Sequence, residues 1–140
     1  MKRKRLVLAL TTIVLFAGAL AGGAAASPTV RLVIAHVVEH CHVWKTSTKT
    51  LGASTRITVR TGTRVAIRSD CPMDFDFKQT KGPHLRLGDP RTYAGSNRVI
   101  VFRKAGLYRL TVTNVQTPEE RGLVTLGDAN TLTLTVVVAP

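Results

Sequence analysis

The sequence predicts an all-β fold, a Greek-key two-sheet β-sandwich preceded by a helical leader. Three observations predict it. After residue 26 the chain consists of short runs rich in Val, Ile, Leu and Thr that alternate apolar with polar residues. Gly-containing turns separate these runs, and no helical stretch of ordinary length follows residue 26. Alternation with period two marks half-buried strands, and six to eight of them in about 110 residues point to two packed sheets.

The first 26 residues read as an address. Lys2, Arg3, Lys4 and Arg5 precede an apolar and small-residue run from Leu6 to about Gly22, which ends in Ala24, Ala25 and Ala26 before Ser27 and Pro28. A basic start, an apolar middle and an Ala-x-Ala exit make a secretory signal peptide. The rival reading is a retained membrane anchor; the run of near 17 residues is at the short limit for a span. Residues 1–26 are therefore assigned to the leader and residues 27–140 to a single domain. No later segment is long and apolar enough to cross a bilayer. The expected location is extracytoplasmic, secreted or associated with the cell envelope.

The strand assignments follow in order. Arg56-Ile57-Thr58-Val59-Arg60 and Arg64-Val65-Ala66-Ile67-Arg68 alternate on either side of Thr61-Gly62-Thr63. They read as a hairpin or a tight strand–turn–strand. Asp74–Phe77 alternates Asp with Phe. Arg98–Phe102, Leu107–Thr113 and Thr131–Val138 continue the pattern, the last being the strongest strand signal. Pro118–Gly122 suits one helical turn or an exposed loop.

Several of these pieces resemble the cupredoxin fold. Ile57-x-Val59-x-x-Gly62-Thr63-x-Val65 resembles the strands before the first copper-ligand loop, and Ser69-Asp70 resembles the opening of that loop. Phe102-x-Lys104-Ala105-Gly106-x-Tyr108-x-Leu110 resembles the strand leading to the last ligand loop, and Leu132–Val138 the closing strand. Cys41-His42-Val43-Trp44 and Leu126–Leu132 are similar to small exported bacterial cupredoxin-like proteins. The resemblance implies a copper site, yet the usual donors are not matched. Residues 85–140 contain no Cys, His or Met, and Cys71-Pro72-Met73-Asp74 stands where the first ligand loop carries a His. A module without a blue-copper centre is the first expectation.

The residues leave another metal reading open. His36, His40 and His42 would share one face of a strand, with Cys41 on the other. Imidazole with sulfur donors suits copper or zinc. The ligands would be the three histidines with water, with Met73 as a further donor, or a set of Cys41, His42, Cys71 and Met73. Against this, two cysteines in an exported chain commonly form a disulfide. Closing the roughly 30-residue loop between Cys41 and Cys71 would contribute about 3–4 kcal/mol. His84 reads as exposed loop chemistry and Trp44 as core or rim packing. Asp70, Asp74 and Asp76 read as partners for neighbouring arginines rather than a calcium loop.

Charge narrows the partners. The chain carries 20 Lys and Arg against 8 Asp and Glu, a formal +12. Four of those cations lie in the leader, which leaves +8 on residues 27–140. Arg56, Arg60, Arg64, Arg68, Arg98 and Arg109 fall on polar sides of expected strands. With aromatic residues at 5%, stacking on nucleobases is poorly served, which argues against nucleic acid. Arg56, Arg60, Arg64 and Arg68 are the candidate anion-binding face, toward anionic cell-envelope components or an acidic protein. No nucleophile elbow, phosphate loop or zinc-protease motif is present, so no enzyme activity is expected.

Overall fold

The computed structural model describes residues 27–37, 42–115 and 131–140. The expected leader, the Pro118–Gly122 segment and residues 126–130 lie outside the described residues. Ten strands form: β1 (Thr29–Ala35), β2 (Val43–Lys45), β3 (Thr50–Gly52), β4 (Ser54–Arg60), β5 (Arg64–Ser69), β6 (Asp74–Lys81), β7 (Arg91–Thr92), β8 (Asn97–Val101), β9 (Gly106–Val115) and β10 (Thr131–Ala139). Among the described residues there is no helix. The count exceeds the six to eight expected because β2, β3 and β7 span only two or three residues. Runs that short carry no readable alternation.

The strands make two five-stranded sheets. The first has the order β3-β2-β1-β5-β8 and the second β4-β10-β9-β6-β7. Alternation is strict where both sheets are deepest. Leu132, Leu134, Val136 and Val138 of β10 face inward with Tyr108, Leu110 and Val112 of β9. From the first sheet they meet Leu32, Ile34, Val65, Ile67 and Ile100. Burying such side chains contributes roughly 1.5–3 kcal/mol each before chain entropy is counted. Trp44 is fully buried in the core, and its indole Nε1 donates to the Thr133 carbonyl at 3.1 Å across the sandwich.

One local expectation changes. β4 and β5 are not a hairpin. β4 pairs in parallel with β10 in the second sheet, and β5 pairs in parallel with β1 in the first. Gly62, at φ +83°, turns the chain from one sheet to the other. Both strands keep one apolar face, as the alternation required, but they lie in different sheets instead of pairing edge to edge. The sequence period fixes which side chains point inward and leaves the pairing partner open.

Candidate functional site

Two regions hold the residues singled out by the sequence. The first is the end of the sandwich where β1 stops and β2 starts. Ala35 of β1 pairs with Val43 of β2, so the residues just beyond the pair, His36 and His42, approach one another. Their ring centroids lie 5.8 Å apart, edge to face. His36 is exposed, whereas His42 is fully buried and packs edge-on against Phe75 at 5.1 Å. The two meet through antiparallel pairing, not through alternation along one strand as expected, since β1 ends at Ala35. His40 and Cys41 lie outside the described residues.

Cys71 and Met73 precede β6. The Cys71 thiol is buried and donates to the Ile34 carbonyl at 3.4 Å. Burial, with the charge of Asp70 adding to it, pushes its pKa up to about 12. A thiol so placed stays protonated and is a poor metal ligand. Met73 Sδ accepts a hydrogen bond from Asn114 Nδ2 at 3.0 Å. Among the described residues no group of three His, Cys, Asp or Glu is positioned to hold a metal ion. With no Cys, His or Met after residue 84, the donor set does not fit a blue-copper centre.

The second region is the cationic surface, and the structure divides the four candidate arginines. Arg56 and Arg60 project from β4 on the outer face of the second sheet. Arg64 and Arg68 project from β5 on the outer face of the first. Arg68 is paired with Asp70, Nε to Oδ1 at 2.5 Å, on an exposed part of the surface.

On the second sheet Arg56 acquires neighbours that sequence spacing does not reveal. Thr135 of β10 pairs with Arg56 on one side and with Arg109 of β9 on the other. Arg109 in turn pairs with Lys81 of β6 across a register shift. The row Arg56, Thr135, Arg109, Lys81 therefore crosses four strands. Arg56 and Arg109 are two strand spacings apart, roughly 10 Å. The adjacent row sets Lys78 against Thr111, with Thr133 beyond. The acids of this sheet lie toward its other end: Asp76 holds Arg91, Nε to Oδ1 at 3.1 Å, and Asp74 accepts from the Ala94 amide at 3.0 Å. The hydrogen bond to Asp76 is the main reason that the Arg91 pKa is raised. The expected pairing of acids with arginines is thus present for Asp70 and Asp76.

Arg98 departs from its expected role. It points between the sheets, with its guanidinium 4.9 Å over the Phe77 ring. Nε donates to Thr92 Oγ1 at 2.6 Å and Nη1 to the Leu87 carbonyl at 2.7 Å. Nη2 donates to the carbonyls of Asp89 and of Arg91, the latter at 2.8 Å. Burial lowers its pKa, with Asp89 opposing the shift. This cation ties the 87–92 segment to β8 and is not part of a ligand-facing surface.

No protein-family model matches the chain, and no curated protein sequence matches it. Solved structures similar to it include a reduced mutant of amicyanin, 17% identical with a TM-score of 0.45, the match covering 81% of this chain and 85% of that one. Amicyanin from Paracoccus versutus (Thiobacillus versutus) is 16% identical with a TM-score of 0.40, over 85% and 87% of the two chains. Copper nitrite reductase from Nitrosomonas europaea is 12% identical with a TM-score of 0.46, over 81% of this chain and 42% of that one. The described residues themselves form an all-β fold of two five-stranded sheets. Fold alone assigns no activity.

Proposed function

We propose that this chain is an exported, cupredoxin-like binding module without a blue-copper centre. It engages anionic polymers of the cell envelope through the outer face of its second sheet, and it is a binding protein rather than an enzyme. One observation carries the reading: strand register sets Arg56, Arg109 and Lys81 in one cross-strand row with no acid among them. Like charges directly opposite one another in a sheet destabilise it. An anion laid along the row offsets that repulsion, and the threonine hydroxyls beside it are further donors. Roughly 10 Å between guanidinium-bearing strands, from the ordinary strand spacing, suits repeated anionic groups on one polymer. The test is co-sedimentation of the protein with isolated cell-wall material across a salt series. Binding that weakens steeply with salt supports the reading, and binding that ignores salt overturns it.

A second reading, copper handling at His36, His42 and Met73 with His40, is favoured by the 5.8 Å approach of the His36 and His42 rings. Copper titration followed by spectroscopy tests it. Alanine at His36 and His42 is expected to reduce copper affinity, and unchanged affinity removes the reading. In this structure the Cys71 thiol is free, and we propose that a Cys41–Cys71 bridge replaces it in the oxidised, exported protein. Non-reducing mass spectrometry of the purified protein shows it as a loss of two hydrogens, and two alkylatable thiols contradict it.

A further inference from the structure

β8 is the last strand of the first sheet, and its outer edge has a definable hydrogen-bonding state. The Arg64 amide donates to the Pro28 carbonyl, so even-numbered residues of β5 address β1. Ser69 donates to the Ser96 carbonyl, and Phe102 donates to the Thr63 carbonyl, so odd-numbered residues of this segment address β8. Backbone groups of a strand alternate between its two neighbours. With Val65 opposite Ile100 and Ile67 opposite Arg98, the amides and carbonyls of Arg98 and Ile100 are turned to β5. Those of Val99 and Val101 therefore point away from the sheet, and among the described residues no strand lies on that side.

A groove of about 590 Å³ runs beside this edge. Val99 and Val101 line it together with Leu85 and Tyr108, and Val99 is 46% exposed. Its cationic lining is Arg86, Arg103 and Lys104, His84 also lines it, and no acid does. The segment that supplies His84, Leu85 and Arg86 to the groove leaves β6 through Gly82, at φ +105°, where an added Cβ would stand 2.5 Å from the Leu107 carbonyl oxygen. That close approach fixes the start of the segment against β9. The Arg98 bonds to the Leu87, Asp89 and Arg91 carbonyls hold its far end.

We propose that the β8 edge takes up an extended acidic segment of a partner protein as a sixth strand of the first sheet. Main-chain pairing to Val99 and Val101 supplies register, while Arg86, Arg103 and Lys104 select acidic side chains. The apolar lining accepts the alternate, uncharged side chains of such a segment. Of the other three sheet ends, β3 and β7 are only three and two residues long, while β4, seven residues long, carries the Arg56 and Arg60 side chains of the second-sheet face.

The experiment uses the full domain and, as probe, a capped peptide of about seven residues alternating Glu and Val, a length typical of one strand. Amide exchange followed by NMR is expected to show protection of Val99 and Val101 on adding the peptide. The same peptide N-methylated along its pairing edge is expected to give none. Val101→Pro removes an outward N–H, is tolerated on an edge strand, and is expected to abolish the protection. Arg103→Ala with Lys104→Ala is expected to weaken binding about tenfold, a change of about 1.4 kcal/mol. Arg56→Ala with Arg109→Ala is expected to leave peptide binding intact, which separates this proposal from the second-sheet reading. The proposal is overturned if the N-methylated peptide binds equally well. Anionic phospholipid vesicles protecting the same two amides also overturn it, because the edge is then a lipid contact. Should Val101→Pro fail to fold, the N-methylated peptide alone decides.

Discussion

The outer faces of the two sheets carry arginines from the same sequence stretch, yet they differ in what surrounds those arginines. On the first sheet Arg64 stands between Thr29 and Val101, and Arg68 between Val33 and Asn97. Arg68 is also neutralised by Asp70. On the second sheet Arg56 and Arg109 flank Thr135, and Arg109 meets Lys81. The first face also carries Arg31 opposite Ala66 and Lys45 beyond Val33, so both faces hold several cations; among the described strand pairs, the second face alone sets two of them, Arg109 and Lys81, directly opposite one another. Cross-strand neighbours set the local potential, and chain spacing does not.

The largest expected effect separates both faces from the interior cation. Arg98→Ala is expected to lower unfolding stability by about 2–4 kcal/mol, because the carbonyls it binds and the Phe77 face lose a charged partner together. Urea denaturation measures this. A loss comparable to that of Arg64→Ala would show that Arg98 is one more surface arginine.

A smaller effect sharpens the second face. Lys81→Glu replaces a like-charge pair by an opposite one beside Arg109 and is expected to stabilise the fold by about 0.2–1 kcal/mol. The same change is expected to weaken retention on anionic polymer. Stability and binding moving in the same direction would contradict the repulsion argument. The smallest effect belongs to the first face: Asp70→Asn is expected to change stability by less than about 1 kcal/mol, since the pair is exposed. It releases Arg68, and a modest gain in polymer retention through the first sheet would show that pairing, not position, keeps that face quiet.

Much of the fold was legible in the sequence, and the candidate site less so. Thr131–Val138 declared its inward Leu132, Leu134, Val136 and Val138 through strict alternation, and the structure buries all four. The same alternation could not say that β4 joins β10 while β5 joins β1, because pairing is a long-range choice. For that reason chain spacing groups Arg56 and Arg60 with Arg64 and Arg68 and gives Lys81 no part. Its partner Arg109 is 28 positions away in the chain, and only sheet register joins them. Alternation also fails to place Arg98, for a related reason. On β8 it occupies an inward position, tolerated because the carbonyls of residues 87, 89 and 91 and the Thr92 hydroxyl receive its hydrogen bonds. The groove beside β8 gathers His84, Arg86, Arg103 and Lys104 from two separate loops, and no motif announces it.

The most direct test of the account compares two double variants in one assay. Arg56→Ala with Arg109→Ala, and Arg64→Ala with Arg68→Ala, remove equal charge from the two faces. Co-sedimentation with isolated anionic cell-wall polymer at low and physiological salt is the measurement. The account predicts that the first pair loses about tenfold or more in affinity, with a shallower salt dependence, while the second changes it by less than about threefold. Equal losses from the two pairs would contradict it, because binding would then follow net charge and not the row built by the second sheet.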